Sequence, residues 1–160
     1  MKLTTGVKWG FVAGLVVGVS AGVLGYMSVM SILDALVEYA YQEMVKMGTP
    51  PSQARQAAEL TRQIAPPSAF AGVIVGNVII YLIMGLVMAA VWERLRLPWY
   101  AKGALFGVVL TVLLSLPSLL LPPPPDIPTP PAVYGYASTA LNFAGPILLA
   151  WLLNRAASRA

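Results

Sequence analysis

The chain has 160 residues; 58% are hydrophobic, only 10% are charged, the formal net charge is +4, and there is neither cysteine nor histidine. So few charges cannot cover the surface of a water-soluble domain of this length. The missing thiols and imidazoles exclude disulfides and the usual zinc, haem and iron–sulfur ligand sets, so no metal and no cofactor is expected.

Uncharged apolar stretches of 18 or more residues read as membrane spans. Four occur here, at 9–33, 68–92, 102–121 and 133–153. The expected fold class is all-α, a polytopic membrane protein with four transmembrane helices in a single domain covering 1–160. The first span follows Lys2 and Lys8. Its length of about 25 residues exceeds a signal-peptide core, so it reads as an uncleaved anchor helix. Within "GVKWGFVAGLVVGVSAG" glycine recurs at Gly6, Gly10, Gly14, Gly18 and Gly22. Each step of four residues turns about 400°, so this stripe winds slowly round the helix. Small residues at that spacing let backbones approach in lipid, where apolar burial drives little association. The stripe is expected to be a contact surface for a neighbouring helix along its whole length, within this chain or in another subunit; the remaining alternative is a thin-walled permeation path lined by glycine.

In "SILDALVEYAYQEMVKM" the apolar residues fall on one helical stripe. The first helix therefore continues past the membrane surface or bends onto it. Gly48 reads as a helix stop, with Thr49 and Pro50 as N-cap and first residue of a second short helix. Pro66 and Pro67 are expected to end that helix and open the second span. The result is an outward helical hairpin at 34–65. Asp34 and Glu38, one turn apart, form either a solvated acidic face or a weak calcium site.

The second span carries Gly72, Gly76, Asn77 and Tyr81. The third carries Gly103, Gly107, Thr111 and Ser115 before Pro117. "LPPPPDIPTPP", residues 121–131, reads as a stiff polyproline strap across the outer face, so spans three and four need not be neighbours. Asn142 precedes Gly145-Pro146 in the last span. Asn77 and Asn142 either hydrogen-bond between helices or line a polar path. No Asp, Glu, Lys or Arg lies in the core of any span, whereas proton relays and voltage sensors normally need one.

Basic residues mark the cytoplasmic side. Lys2, Lys8, Arg94, Arg96, Lys102, Arg155 and Arg159 face only Glu93 on one side; Lys46, Arg55 and Arg62 are outnumbered on the other by Asp34, Glu38, Glu43, Glu59 and Asp126. Trp9, Trp92, Trp99 and Trp151 fall on the basic side, where indole anchors in headgroups. Both termini are therefore expected in the cytoplasm, the protein being multi-pass in the cell membrane. The dispersion of the basic residues over three segments argues against nucleic acid.

A faint internal repeat links Lys8-Trp9-Gly10 and Gly14 with Lys102-Gly103 and Gly107, "PPSAFAG" with "PPAVYGY", and Asn77 with Asn142. Such copies would be two helical hairpins related by an axis along the membrane normal. The segment 38–96, "EYAYQEMVKMGTPPSQARQAAELTRQIAPPSAFAGVIVGNVIIYLIMGLVMAAVWERLR", resembles part of small four-helix bacterial membrane proteins of unknown function. In those proteins the segment joins the last two spans; here it joins the first two. The resemblance implies a four-helix membrane fold and brings no catalytic residues with it.

Catalysis has no anchor: there is no Ser/His/Asp set and no buried carboxylate pair. The expected role is a non-enzymatic scaffold or accessory subunit that oligomerises or docks onto other membrane subunits, with lipid around it. The alternative is a small channel or transporter assembled from several copies around Asn77 and Asn142. Scarce asparagine and abundant loop proline point to a thermophile.

Overall fold

The computed structural model describes residues 1–120 and 126–158 and is all-helical there. The elements are α1 (Leu3–Ser31), α2 (Leu33–Lys46), α3 (Pro51–Val91), α4 (Trp99–Leu120) and α5 (Ala132–Ala157). All but α2 are long and apolar enough to cross a membrane. Leu15, Val19, Ile79, Ile83, Val112 and Leu113 lie open on their outer faces. An apolar exterior of this kind is untenable in water and ordinary against lipid tails.

α1 is central. It packs on α3 and on α5; α4 packs on α5, and α2 folds back on α3. α3 and α4 follow one another in sequence but do not pack along their lengths. The buried layer between α1, α3 and α5 holds Val17, Tyr81, Met84, Met88, Leu149 and Leu153.

The hairpin departs from expectation in two details. Gly48 does end α2, at φ +87°, a conformation that side chains beyond glycine rarely adopt. Its N–H bonds the Val45 carbonyl, and the Thr49 N–H bonds the Met44 carbonyl, a Schellman closure. Thr49 is thereby committed to the end of α2 and does not cap α3. Pro50 takes the cap position and Pro51 the first turn, where a missing N–H costs nothing.

The second departure is larger. Pro66 and Pro67 do not break the chain into two helices: α3 runs unbroken through them for 41 residues, about 60 Å. The prolines forfeit the bonds to the Arg62 and Gln63 carbonyls. Those groups sit in the polar part of the helix, beside exposed Arg62 and Gln63 side chains, where water can satisfy them.

Upstream of the prolines, Leu33 and Val37 of α2 and Ala54 and Ala58 of α3 are buried. Arg62 reaches Asp34 at 2.7 Å and Arg55 reaches Glu38 at 3.2 Å. The acidic face is thus spent on arginines. The hydrogen bonds that the Arg62 guanidinium donates to Asp34 and Glu59 raise its pKa above the ordinary value. α1 passes into α2 through a single non-helical residue, Ile32, so the first helix bends rather than running straight on.

Residues 121–125 of the proposed strap lie outside the described residues. Beyond them, a turn at Asp126–Ile127 leads to Pro131, which starts α5. α4 and α5 are direct neighbours, so whatever the strap spans, it does not separate them.

The faint repeat reappears as a shared register. A Cβ on Gly14 would lie 2.9 Å from the Val78 Cα, and one on Gly10 3.2 Å from the Leu82 Cα. In the second hairpin a Cβ on Gly107 would lie 2.7 Å from the Phe143 carbonyl oxygen, and one on Gly103 2.6 Å from the Ile147 Cα. The alignment that carries Asn77 to Asn142 carries Val78 to Phe143 and Leu82 to Ile147. Two glycines one turn apart therefore dock each hairpin at matching heights.

Candidate functional site

The glycine stripe faces one partner. Gly6 meets the backbone of Gly85, Gly10 that of Tyr81 and Leu82, Gly14 that of Val78, Gly18 that of Ile74, and Gly22 the Phe70 carbonyl together with the Ile74 and Phe70 side chains. All five are buried. Their positions run up α1 as the contacts run down α3, so the two helices are antiparallel and in backbone contact over about four turns. Gly85, on the facing helix, was not singled out in the sequence because it has no glycine four residues away.

Gly72 and Gly76 behave differently. Nothing among the described residues comes within 4 Å of a Cβ built on either. They share the four-residue spacing but sit on the side of α3 turned away from α1.

Asn77 and Asn142, on different helices, line one cavity of about 310 Å³ between α1, α3 and α5. Ser28, Tyr134 and Ser138 add hydroxyls to its wall, and Pro130 lies at its end near the start of α5. Asn142 sits ten residues into α5, about 15 Å along the helix. The interhelical hydrogen bond that sequence reasoning considered is not made. The Asn77 Nδ2 donates to the Val73 carbonyl of its own helix at 2.9 Å. The Asn142 side chain has no hydrogen-bond partner among the described residues. Ser28 and Ser138 were missed because each lies near a span end, where small polar residues carry no signal of their own; Tyr134 reads from the sequence only as an aromatic towards the outer face.

Tyr81 closes the inner end. Its side chain is fully buried between α1, α3 and α5. Its hydroxyl presses against the Cα of Gly145, occupying the space where a side chain would stand, and has no hydrogen-bond partner. Val17 packs on the same glycine. Asn77 and Tyr81, neighbours on one helical face, thus have opposite surroundings: one lines a cavity, the other plugs the core beneath it.

Thr111 faces a shallower hollow between α4 and α5, beside Tyr136, Thr139 and Phe143, with its hydroxyl oxygen buried and unpaired. Ser115 follows one turn on, partly buried.

The four tryptophans gather at the end of the bundle that holds Met1 and the α3–α4 loop. Lys8 lies 5.6 Å from the Trp9 ring and Arg155 5.5 Å from the Trp151 ring. Trp99 meets Tyr100 edge to face, with ring centroids 5.9 Å apart. Trp92 is buried, and Lys102 is buried with it, 7% exposed. The Lys102 Nζ donates to the Trp92 carbonyl at 2.6 Å and stands 4.2 Å from that indole ring. The sequence counts Lys102 only among the basic residues that mark the cytoplasmic side; the structure buries it.

No protein family matches the sequence, and no curated protein or solved structure does either. The chemistry of the site must therefore speak for itself. Among the described residues no three His, Cys, Asp or Glu side chains gather as a metal site. The cavity offers amides and hydroxyls without a charge. Such groups bind and orient a neutral polar molecule by hydrogen bonds.

Proposed function

We propose that the chain is a non-enzymatic membrane protein that spans the cell membrane four times, with its basic end cytoplasmic, and holds a small uncharged polar group in the cavity beneath its outer face. One observation carries this reading: Asn77 and Asn142 come from separate helices to the same cavity, and the Asn142 amide is left without a partner. An amide unpaired in an apolar setting costs about 1–3 kcal/mol in proteins. Water or a ligand in the cavity would offset that cost. Tyr81 and Val17 fill the space below, which favours a one-sided binding pocket over a through-channel in a single copy.

The scaffold reading keeps a narrower footing. The five-glycine stripe is engaged with α3 and is not free for a second chain. What remains for a partner is Gly72 and Gly76 on the open side of α3, and the protruding α2–α3 hairpin.

Two results are expected. For topology, single cysteines replacing Ser52 and Ser158 in this cysteine-free chain should label from opposite sides of sealed cells. Same-side labelling removes the four-span arrangement. For the cavity, Ser138→Cys should react with a small membrane-impermeant thiol reagent from the Ser52 side, and neutral amides or polyols that occupy the cavity should slow that reaction. Asn142→Leu should abolish the protection without lowering thermal stability, whereas a structural interhelical amide would cost about 0.6–2 kcal/mol. An inert Ser138→Cys beside a reactive Ser52→Cys, or a marked stability loss in Asn142→Leu, overturns the binding reading.

A further inference from the structure

The seam between α3 and α4 differs from its counterpart between α1 and α5. The correspondence that takes Gly10 to Gly103 takes Val17 to Leu110, and the one that takes Ile80 to Gly145 joins α3 to α5. Where α1 meets α5, Val17 closes on Gly145, which has no side chain to hold the helices apart. Where α4 would meet α3, the matching residues are Leu110 and Ile80. Two branched side chains replace a valine and a glycine, and the seam stays open. It forms a groove of about 370 Å³ whose walls, Ile83, Met84 and Val87 of α3 and Phe106, Val109 and Leu113 of α4, are apolar throughout.

The head of the groove is basic. Lys102 stands one turn above Phe106 on the same face of α4. Its ammonium is buried against a carbonyl and an indole, and no carboxylate pairs with it among the described residues. A buried cation without a counter-charge is costly. The loop that joins α3 to α4 adds Arg94 and Arg96, both exposed and without an ion pair among the described residues. Glu93, the loop's single acid, is taken by the N-terminal ammonium. The groove starts one turn below Lys102 on α4, at Phe106, and about two turns below Arg94 on α3, at Val87, and descends some 12 Å, within one leaflet.

We propose that this seam is a binding site for one anionic phospholipid of the leaflet at the basic end, with an acyl chain in the α3–α4 groove and the phosphate on Lys102, Arg94 and Arg96. An acyl chain suits walls that offer no hydrogen bond. The phosphate provides the counter-charge that Lys102 lacks. A transmembrane helix of a partner would satisfy the walls but not the ammonium.

The test titrates the purified protein in neutral detergent with phosphatidylglycerol, phosphatidylcholine or inorganic phosphate, and reads bound species by native mass spectrometry. One phosphatidylglycerol should bind about tenfold or more tightly than phosphatidylcholine, as expected for several basic groups near one phosphate. Inorganic phosphate should not displace it. Arg94→Gln with Arg96→Gln, both exposed, should remove most of that preference, and Lys102→Gln the rest. Val109→Trp, an exposed position that fills the groove, should remove binding of both lipids. If Lys102→Gln does not fold, the arginine pair and Val109→Trp decide alone. Equal affinity for the two lipids, displacement by free phosphate, or full lipid binding in Val109→Trp overturns the proposal. So does a dimer that Val109→Trp dissociates with no lipid bound, since a second copy would then be the occupant. None of these changes touches the Asn142 cavity, so the two proposals stand or fall separately.

Discussion

Gly145→Ala should destabilise the folded protein by about 3 kcal/mol, near the upper end of what overpacking a filled core costs. The reason is specific. An added Cβ would overlap the Tyr81 hydroxyl and stand 2.7 Å from the ring carbon that bears it, and 3.0 Å from the Val17 Cγ2. Tyr81 is fully buried and cannot swing aside without disturbing α1 and α5 together. Its hydroxyl has no hydrogen-bond partner. Removing an unpaired buried hydroxyl relieves a desolvation cost, so Tyr81→Phe alone should be neutral or stabilising by about 1 kcal/mol. The double variant should recover part of the Gly145→Ala loss. Recovery is partial because the ring carbon still crowds the new methyl. Unfolding in mixed micelles, followed by tryptophan fluorescence and circular dichroism, gives the four corners of the cycle. A coupling of about 1–2 kcal/mol is expected for groups in contact. Strict additivity, or a large loss in Tyr81→Phe, would show that the hydroxyl is not lodged in the Gly145 notch.

That notch illustrates what the sequence conveyed and what it withheld. The four long apolar helices and the helical class followed from charge-free lengths, because in hydrocarbon a backbone must satisfy itself within a helix. The hairpin's stop at Gly48 followed from local chemistry, since a positive φ is a property of one residue. Pro66 and Pro67 misled because the rule that proline ends helices is local, while the exposed, polar setting of the Arg62 and Gln63 carbonyls they leave unpaired is not. The glycine stripe announced a contact but not its partner. Five repeats on one helix are identical whether the facing backbone belongs to α3 or to another chain. The burial of Lys102 was not legible among the basic residues that mark one side, because it depends on where Trp92 comes to rest, ten residues back and on another segment. Asn77 and Asn142 stood out as rare polar residues in apolar runs. Their convergence, and the role of Gly145 beneath them, depends on α5 packing against α1, which no spacing within either helix encodes.

The glycines themselves should separate into three groups when each is replaced by alanine. In the first, Gly6, Gly10 and Gly14, the new methyl meets backbone atoms of α3, which cannot move without shifting the whole helix. Each should cost about 1–3 kcal/mol, net of the roughly 1 kcal/mol by which alanine favours a helix over glycine. Gly18, with α3 backbone atoms at 3.2 Å, belongs at the low end of that range. Gly22, with the Phe70 carbonyl oxygen at 3.1 Å, joins Gly18 there. In the second group, Gly25, the nearest atom is a side-chain atom, the Val73 Cγ2 at 3.3 Å, which can rotate away. Alanine there should be close to neutral. In the third, Gly72 and Gly76, nothing lies within reach, so alanine should stabilise by up to about 1 kcal/mol through helix propensity alone. The ordering matters more than any single value, because every variant adds the same methyl to the same kind of helix. If Gly10→Ala and Gly14→Ala stabilise as Gly72→Ala does, α1 does not lie on α3 and the arrangement described here is wrong. A loss in the third group carries different information. If Gly72→Ala and Gly76→Ala leave the monomer stable in detergent but disrupt a complex isolated from the native membrane, the open face of α3 is the contact surface for another subunit. The scaffold role would then rest on two glycines in the second span, with the five in the first serving only to seat it.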